Sequence, residues 1–511
     1  MPAQAISTPA LLDTLQRSAF DFFWNESHPV TGLIDDRTAS WSMASIASQG
    51  FGFSATCIGI DRGYITREQG RARVLKQLRT YWWGVQGTAA AGMIGYKGLF
   101  YHFLDPATAT RAWDSELSTI DTALLMAGVL DVGLYFDQAD SQEVAIRDLA
   151  DSLFRRVDWN FMRNGSVGIR MGWKPGTGFS GFGLWQGYNE AMILYLMALG
   201  SPTYPVPSNA WNYWISGYQW QTFYGYSFVT FPPLFGHQYS HCWIDFRDQR
   251  DPYMQTKGLD YFENSRRATL AQRAYSIQTA PPSFLYTDSL WGITASDYPG
   301  PGGYLARGAP PAQNDEGTMV PTAALSSVVF TPDESYAVMH HLWRVYRSLL
   351  WGPYGFVDAF KPSFAWWSND VVGIDQGPIL MMIENHRTES IWNRFMQSPY
   401  IQTGLQRANF IDFSLLGVEP EREGALWLSA PEPNPARGQT TLHFRLPRGG
   451  DVRLSVFDVQ GREQAIAVRG RREAGAHSIT ISTAGWRGGI YFARLEAQGE
   501  TQVTRLVHLG D

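Results

Sequence analysis

Up to residue 428 the apolar positions recur with a period of about 3.6; beyond residue 438 they alternate. The chain therefore reads as a long helical part followed by a short β-rich part. Residues 11–24 place Leu11, Leu12, Leu15, Ala19, Phe22 and Phe23 on one face, which predicts an amphipathic helix. Thr66 and Gln69 form a capping box ahead of a helix reaching Trp82. Ser115 is expected to cap a run through Tyr135, and Ser141 to start another through Val157. Tyr188-Asn189-Glu190-Ala191 opens an apolar run that Gly200 and Pro202 end, with Glu190 expected in the first turn. Further helices are predicted near 209–217, 259–277, 321–330, 333–350, 377–385, 388–397 and 399–408.

Short links such as 137–140 alternate with long ones at 84–113, 158–187, 224–258, 279–320 and 351–375. Long loops in a compact domain are usually functional. If paired helices run up and down around an axis, the long loops gather on one face and frame a cleft. That predicts a mainly α fold of the α/α toroid type, with buried inner helices and amphipathic outer ones. No fixed-period self-similarity favours a solenoid.

Strands are predicted at 440–446, 451–459, 464–469, 476–482, 489–497 and 502–509, punctuated by Gly449-Gly450, Gly461 and Gly488-Gly489. This predicts a small C-terminal all-β sandwich. Three prolines and Gly438 mark 429–438 as a linker, so the expected domains are 1–428 and 439–511.

Composition narrows the function. With 44% hydrophobic and 17% charged residues, the 511-residue chain is a folded globular protein. Aromatics reach 14%, including 20 Trp and 24 Tyr. That excess suits sugar faces or protein partners as well as core packing. Net charge is -6 with no basic stripe, which argues against nucleic acid. No run is long and apolar enough for a membrane span. The start, Met1-Pro2-Ala3-Gln4, lacks a charged and then apolar leader, so an exported protein would have lost its signal. Cys57 and Cys242 define no disulfide framework, although one bridge is open. There is no nucleotide fingerprint, G-x-S-x-G elbow or H-E-x-x-H, and no cofactor is expected.

The candidate chemistry is acidic and aromatic. Glu190 follows the glycine- and aromatic-rich stretch 173–185, and a carboxyl at a buried helix end can have the raised pKa of a sugar-cleaving acid. Asp375, just ahead of the predicted helix at 377, is a candidate partner carboxylate. Asp114, Glu116 and Asp121 enter another helix, where Asp121 lies on an apolar face and should be partly buried. Inverting hydrolysis needs acid and base separated by roughly 6.5–9.5 Å. His237 and His241 stand four apart, but with no third ligand a metal is disfavoured; they and Arg247 are candidates for polar sugar contacts. Asp315 and Tyr188 are further contact candidates. Trp173, Trp185, Trp243 and Trp366 are the candidate stacking faces. A lyase on an acidic glycan and a non-catalytic glycan binder remain open at this point.

The stretches Ile58-Gly59-Ile60-Asp61-Arg62-Gly63, 115–123, 188–191, His237-Gln238-Tyr239-Ser240-His241 and Trp291-Gly292-Ile293-Thr294-Ala295-Ser296-Asp297, in this order, resemble the bacterial glucoamylase-like family, which includes the endo-β-1,2-glucanases of glycoside hydrolase family 144. The resemblance covers about residues 5–420 and implies an (α/α)6 toroid hydrolysing β-1,2-glucan without a metal, with inversion, to sophorose and short sophoro-oligosaccharides. It implies Glu190 as the acid and leaves Asp375 and the 114–121 cluster competing as base. Asn434-Pro435, 454–462 and 489–495 resemble immunoglobulin-like C-terminal sorting modules of secreted bacterial enzymes. That implies secretion machinery as a partner and a secreted, periplasmic or cell-surface location.

Overall fold

The computed structural model describes residues 6–311, 314–416, 426–429 and 431–510. Two compact units emerge: residues 1–247 with 251–410, and residues 248–250 with 411–511. In the first, the helices are α1 (Thr8–Asn25), α2 (Ile46–Asp61), α3 (Arg67–Trp83), α4 (Thr119–Tyr135), α5 (Ser141–Arg155), α6 (Met192–Gly200), α7 (Asn209–Ile215), α8 (Tyr239–Trp243), α9 (Pro252–Lys257), α10 (Tyr261–Gln278), α11 (Pro321–Leu325), α12 (Pro332–His341), α13 (Arg347–Leu350), α14 (Gly373–Thr388), α15 (Ser390–Phe395) and α16 (Pro399–Arg407).

Burial sorts them into two layers. α2, α4, α6, α8, α11 and α14 are buried on nearly all sides. α1, α5 and α16 carry one apolar face each, as expected for an outer layer. The inner helices close a ring: α2 packs on α4, α4 on α6, α11 on α14 and α14 on α2. Two hydrogen bonds complete it: the Ile193 N–H donates to Ser240 Oγ, joining α6 to α8, and Gln238 Nε2 donates to the Ala323 carbonyl, joining α8 to α11. This is the (α/α)6 toroid that the loop pattern and resemblance predicted. The N-terminal ends of the inner helices share one face with the long loops.

The far end of the ring is closed by buried charge. Asp131 on α4 accepts from Arg394 Nε of α15 at 2.6 Å and from Ser54 Oγ of α2 at 2.6 Å. Trp243 of α8 in turn donates its indole N–H to Ser54 Oγ at 2.9 Å. Removing one partner of such a buried pair leaves a naked charge, so the network ties four helices together.

Several elements differ from the sequence reading. α2 is not among the predicted helices. Gly50, Gly52 and Gly59 lower its propensity, and burial all round erases the amphipathic period that reveals a helix. Ser118, not Ser115, caps α4, accepting from the Asp121 N–H. Ser115 instead donates to the Ala112 carbonyl. Glu190 lies one residue ahead of Ala191, the cap of α6, and not inside the helix. Residues 239–243, read as loop, are α8. α14 begins at Gly373, so Asp375 sits in its first turn, and the helix runs through Pro378. Pro378 has no N–H for the Ile374 carbonyl four residues back; the Tyr239 hydroxyl donates to that carbonyl instead, at 3.2 Å. Cys57 and Cys242 are free, buried thiols.

In the second unit, residues 439–446 pair antiparallel with 475–482, and 450–458 is flanked by 463–472 and 489–497, the latter pairing with 500–508. Leu442, Phe444, Leu454, Val456, Leu495 and Leu506 fill the core between them. The predicted linker is corrected: Glu432–Arg437 is a strand, antiparallel to Gln439–Leu446 and parallel to Glu500–His508 at Ala436–His508. Its prolines suit an irregular strand, where ladder bonds are already interrupted.

The α2–α4 crossing is made backbone to backbone. A Cβ at Gly50 would stand 2.2 Å from the Leu124 carbonyl oxygen, and one at Gly128 would stand 2.1 Å from the Gly50 oxygen. Alanine would gain about 1 kcal/mol of helix propensity, but overpacking against backbone costs about 1–3 kcal/mol or more. Gly50→Ala and Gly128→Ala are therefore expected to lower stability in denaturant titrations; an unchanged or raised midpoint would contradict this crossing.

Candidate active site

The N-terminal ends of the inner helices frame a cavity of about 450 Å³. Its wall carries Asp36, Arg37, His102, Phe103, Asp121, Glu190, Tyr239, Asp297, Tyr304, Asp358 and Asp375, among others. Each is placed by a local device. Asp36 and Arg37 sit on the loop before α2. The Gly373 N–H donates to the Asp36 carbonyl, which fastens that loop to α14. His102 and Phe103 lie on a segment whose residues 103–104 pair with 44–45, just ahead of α2. Asp297 belongs to the hairpin Ser296–Asp297 with Tyr304–Leu305.

Glu190 is held by the turn into α6, where Ser240 Oγ donates to its carbonyl at 3.4 Å. Its Oε2 is buried with no hydrogen-bond partner. Burial, with a smaller contribution from Asp121, raises its pKa to about 7. Asp358 and Asp375 are in hydrogen-bonding contact; burial raises both, joined at Asp358 by the charge of Asp297 and at Asp375 by that of Asp358. Two such carboxyls cannot both be charged, so the pair shares a proton. Asp358 also accepts from the Asp297 N–H at 2.8 Å. Tyr239 and Tyr304 line the same cavity and feel the charges of both Glu190 and Asp375, which add to burial in raising their hydroxyls.

Among the described lining residues, positive charge comes from Arg37 and His102. Arg37 pairs with Asp297 at 2.9 Å, Asp36 at 3.1 Å and Asp370 at 3.6 Å. His102 places Nδ1 3.0 Å from Glu116 Oε1 and Nε2 3.5 Å from Asp121 Oδ2. Burial alone would lower His102, but those carboxylates outweigh it and raise its pKa to about 9. Asp121 also accepts from Ser118 Oγ at 2.5 Å. Among the described residues no cluster of three or more His, Cys, Asp or Glu side chains could hold a metal ion.

Of the residues singled out from sequence, Glu190, Asp375 and Asp121 meet in this cavity, and Glu116 reaches it through His102. The others stand elsewhere. Asp114 is on the surface with its side chain 81% exposed, paired with Arg111 and Lys174 at 2.8 Å each. Trp243 is a core residue stacked on Phe51. Trp173 is buried against Tyr96 and Phe161. Trp185 donates to Thr119 Oγ1, and Trp366 packs in the hairpin of Phe360–Lys361 with Trp366–Trp367. Tyr188 packs on the His237 ring. His237 and His241 are fully buried, bonded to the Phe231 carbonyl and Ser265 Oγ, and burial pushes both down to about 3. Arg247 is spent on Asp245 and Glu389. Asp315 accepts from the Tyr275 and Tyr286 hydroxyls. The sequence reading passed over Asp36, Arg37 and His102. Asp297 ends the 291–297 stretch and Asp358 lies in the 351–375 connection, and local spacing singles out neither. The only signal for the first pair was an acid–base doublet ahead of a helix that was itself invisible.

Residues 184–399 match the glycoamylase family model, described as "Putative glucoamylase", and residues 433–508 match a secretion system C-terminal sorting domain. Over 434 residues, 78% of the chain, the sequence is 31% identical to an exo beta-1,2-glucooligosaccharide sophorohydrolase (non-reducing end) of Parabacteroides distasonis; the chain spans 58% of that relative's length. A crystal structure from Bacteroides uniformis, described in the same words as the family, is 33% identical with a TM-score of 0.73, covering 80% of this chain and 99% of that one. An endo-beta-1,2-glucanase from Chitinophaga pinensis, in complex with sophorotriose and glucose, is 29% identical with a TM-score of 0.73 and the same coverage. Fold and likeness together define an (α/α)6 protein of glucoamylase type. The chain belongs to the bacterial glucoamylase-like family that includes glycoside hydrolase family 144.

The raised carboxyl has a thermodynamic consequence. Glu190 ordinarily titrates at 4.5 and in the fold at about 7, so folding is penalised increasingly as pH rises from 4.5 through 7. Glu190→Gln removes that penalty. Relative to wild type it is expected to gain about 2–3 kcal/mol more at pH 8 than at pH 4.5, read from urea unfolding at both values. A pH-independent difference would show that the carboxyl is hydrated.

Proposed function

We propose that this protein hydrolyses β-1,2-glucan to sophorose or short sophoro-oligosaccharides by an inverting acid/base mechanism. The observation that carries the reading is the Glu190 carboxyl, its Oε2 buried without a hydrogen-bond partner and its pKa raised to about 7, in a cavity that also holds a proton-sharing Asp358–Asp375 pair. Glu190, protonated, gives its proton to the glycosidic oxygen as the bond to C1 breaks. The ionised member of the aspartate pair, with Asp375 as our assignment for the base, takes a proton from water, which attacks C1 from the opposite face. Asp121, held by Ser118 and His102, is placed to accept from substrate hydroxyls. Burial raises the Asp297 carboxyl while Arg37 opposes that rise, and negative charge on Asp297 disfavours a second ionisation in the adjoining pair.

The relatives named as acting on β-1,2-glucans support the linkage. The cavity itself opposes a lyase acting on uronates, since its carboxyls outnumber Arg37 and His102 and would repel an acidic sugar. The sorting-domain match supports an exported protein; among the described residues no helix is long and apolar enough to cross a membrane.

Glu190→Gln is expected to lower turnover of linear β-1,2-glucan by roughly 10²–10⁴-fold in a reducing-end assay. Near-normal turnover would reject the acid role. Because the acid must be protonated, kcat/KM of wild type should fall as pH rises through about 7. Polarimetry on fresh product should show the α-anomer first; a β-anomer would replace inversion with retention.

A further inference from the structure

We infer that Trp41 and Trp113 form a sugar-binding platform on the rim of the cavity, where a glucan chain leaving the acid-lined interior stacks one of its pyranose rings. The assignment rests on the proposed reading of the site as a glucan hydrolase. Among the tryptophans these two are unusual in being turned to solvent, 58% and 56% exposed, while standing together with ring centroids 6.5 Å apart. They come from different loops. Trp41 is presented by a turn in which the Asp36 N–H donates to the Met43 carbonyl and the Arg37 N–H to Ser42 Oγ. Trp113 has φ near +50°, a backbone conformation costly for a large side chain. It is pinned on its C-terminal side by Asp114, whose carboxylate is clamped between Arg111 and Lys174.

The platform is continuous with the cavity. Trp113 packs edge-on against Phe103 at 5.2 Å, and Phe103 stacks on His102 at 4.0 Å. The Arg37 guanidinium lies 5.5 Å from the Trp41 ring centre. Phe103, His102 and Arg37 all line the cavity, so an aromatic path leads from the rim to the groups that hold Asp121 and Asp297. A cavity of about 450 Å³ encloses only a short piece of a glucan, and a longer chain must continue over the rim. A pyranose has an apolar C–H face suited to an indole and a hydroxyl edge suited to Arg37 and Asp36. Neutral glycan of extended length is therefore the occupant.

The test compares linear β-1,2-glucan with the shortest sophoro-oligosaccharide that the wild type cleaves. Trp41→Ala and Trp113→Ala are each expected to raise KM for the polymer about tenfold, the effect of one lost aromatic contact, with kcat and the short substrate changed less than about twofold. Trp41→Phe should restore most of the loss. Trp83→Ala, at an exposed tryptophan that ends α3 and does not line the cavity, should change nothing. Equal losses on both substrates, or no loss on either, would overturn the platform. Wild-type turnover and its loss in Glu190→Gln score the proposed function separately. If turnover is absent, calorimetric titration of the same polymer decides: weaker binding to Trp41→Ala than to wild type keeps the platform, and equal or no binding overturns it.

Discussion

Among the described residues, six carboxyl groups, of Asp36, Asp121, Glu190, Asp297, Asp358 and Asp375, share one cavity with a single guanidinium and a single imidazole. So much negative charge cannot persist in a partly dehydrated space. Protons must be retained, and the fold decides where. Arg37 contacts Asp36 and Asp297, and His102 serves Asp121 and Glu116. Burial raises Asp36 and Asp297 as well, but Arg37 contacts both, whereas among the described residues Glu190 and the Asp358–Asp375 pair have no ion-pair contact with a cation and Arg37 acts on the pair only at a distance. Glu190 and the aspartate pair are thus the carboxyls of this wall that neither cation contacts directly.

The toroid makes that distribution tolerable. The N-terminal ends of α2, α4 and α14 open onto the cavity, and their positive partial charges offset some of the acid excess. Asp375 in the first turn of α14 and Asp121 in that of α4 benefit directly. Pro378 shows how tightly the parts interlock. It frees the Ile374 carbonyl, Tyr239 binds it, and the tyrosine is thereby fixed in the cavity wall. At the opposite end, Asp131 and Arg394 seal the ring with fully paired charge. One end of the barrel satisfies its ions and the other leaves a chosen few unsatisfied.

The aromatic richness divides along the same line. Trp159, Trp211, Trp214, Trp243 and Trp291 are fully buried and fill space between helices. Other aromatic rings pack directly on glycines of the inner helices, as Phe51 does on Gly377 and Phe20 on Gly59. A tryptophan count alone therefore could not distinguish a sugar platform from a wall.

The sequence by itself determined the amphipathic outer helices, the capping box of α3, the strands of the second unit and the alternation of short and long connections, because each is written in local spacing. It also marked Glu190, Asp121 and Asp375, since a carboxyl beside an apolar run is a local anomaly. Only the tertiary structure decided that α2 is a helix, since a segment buried on every side has no polar face to betray its period. It alone decided that Trp243, His237, His241 and Arg247 are scaffold and that Arg37, His102 and Asp358 belong to the site. Those roles follow from which carboxyls lie within reach of a cation after residues hundreds of positions apart are brought together, and no spacing along the chain encodes that distance.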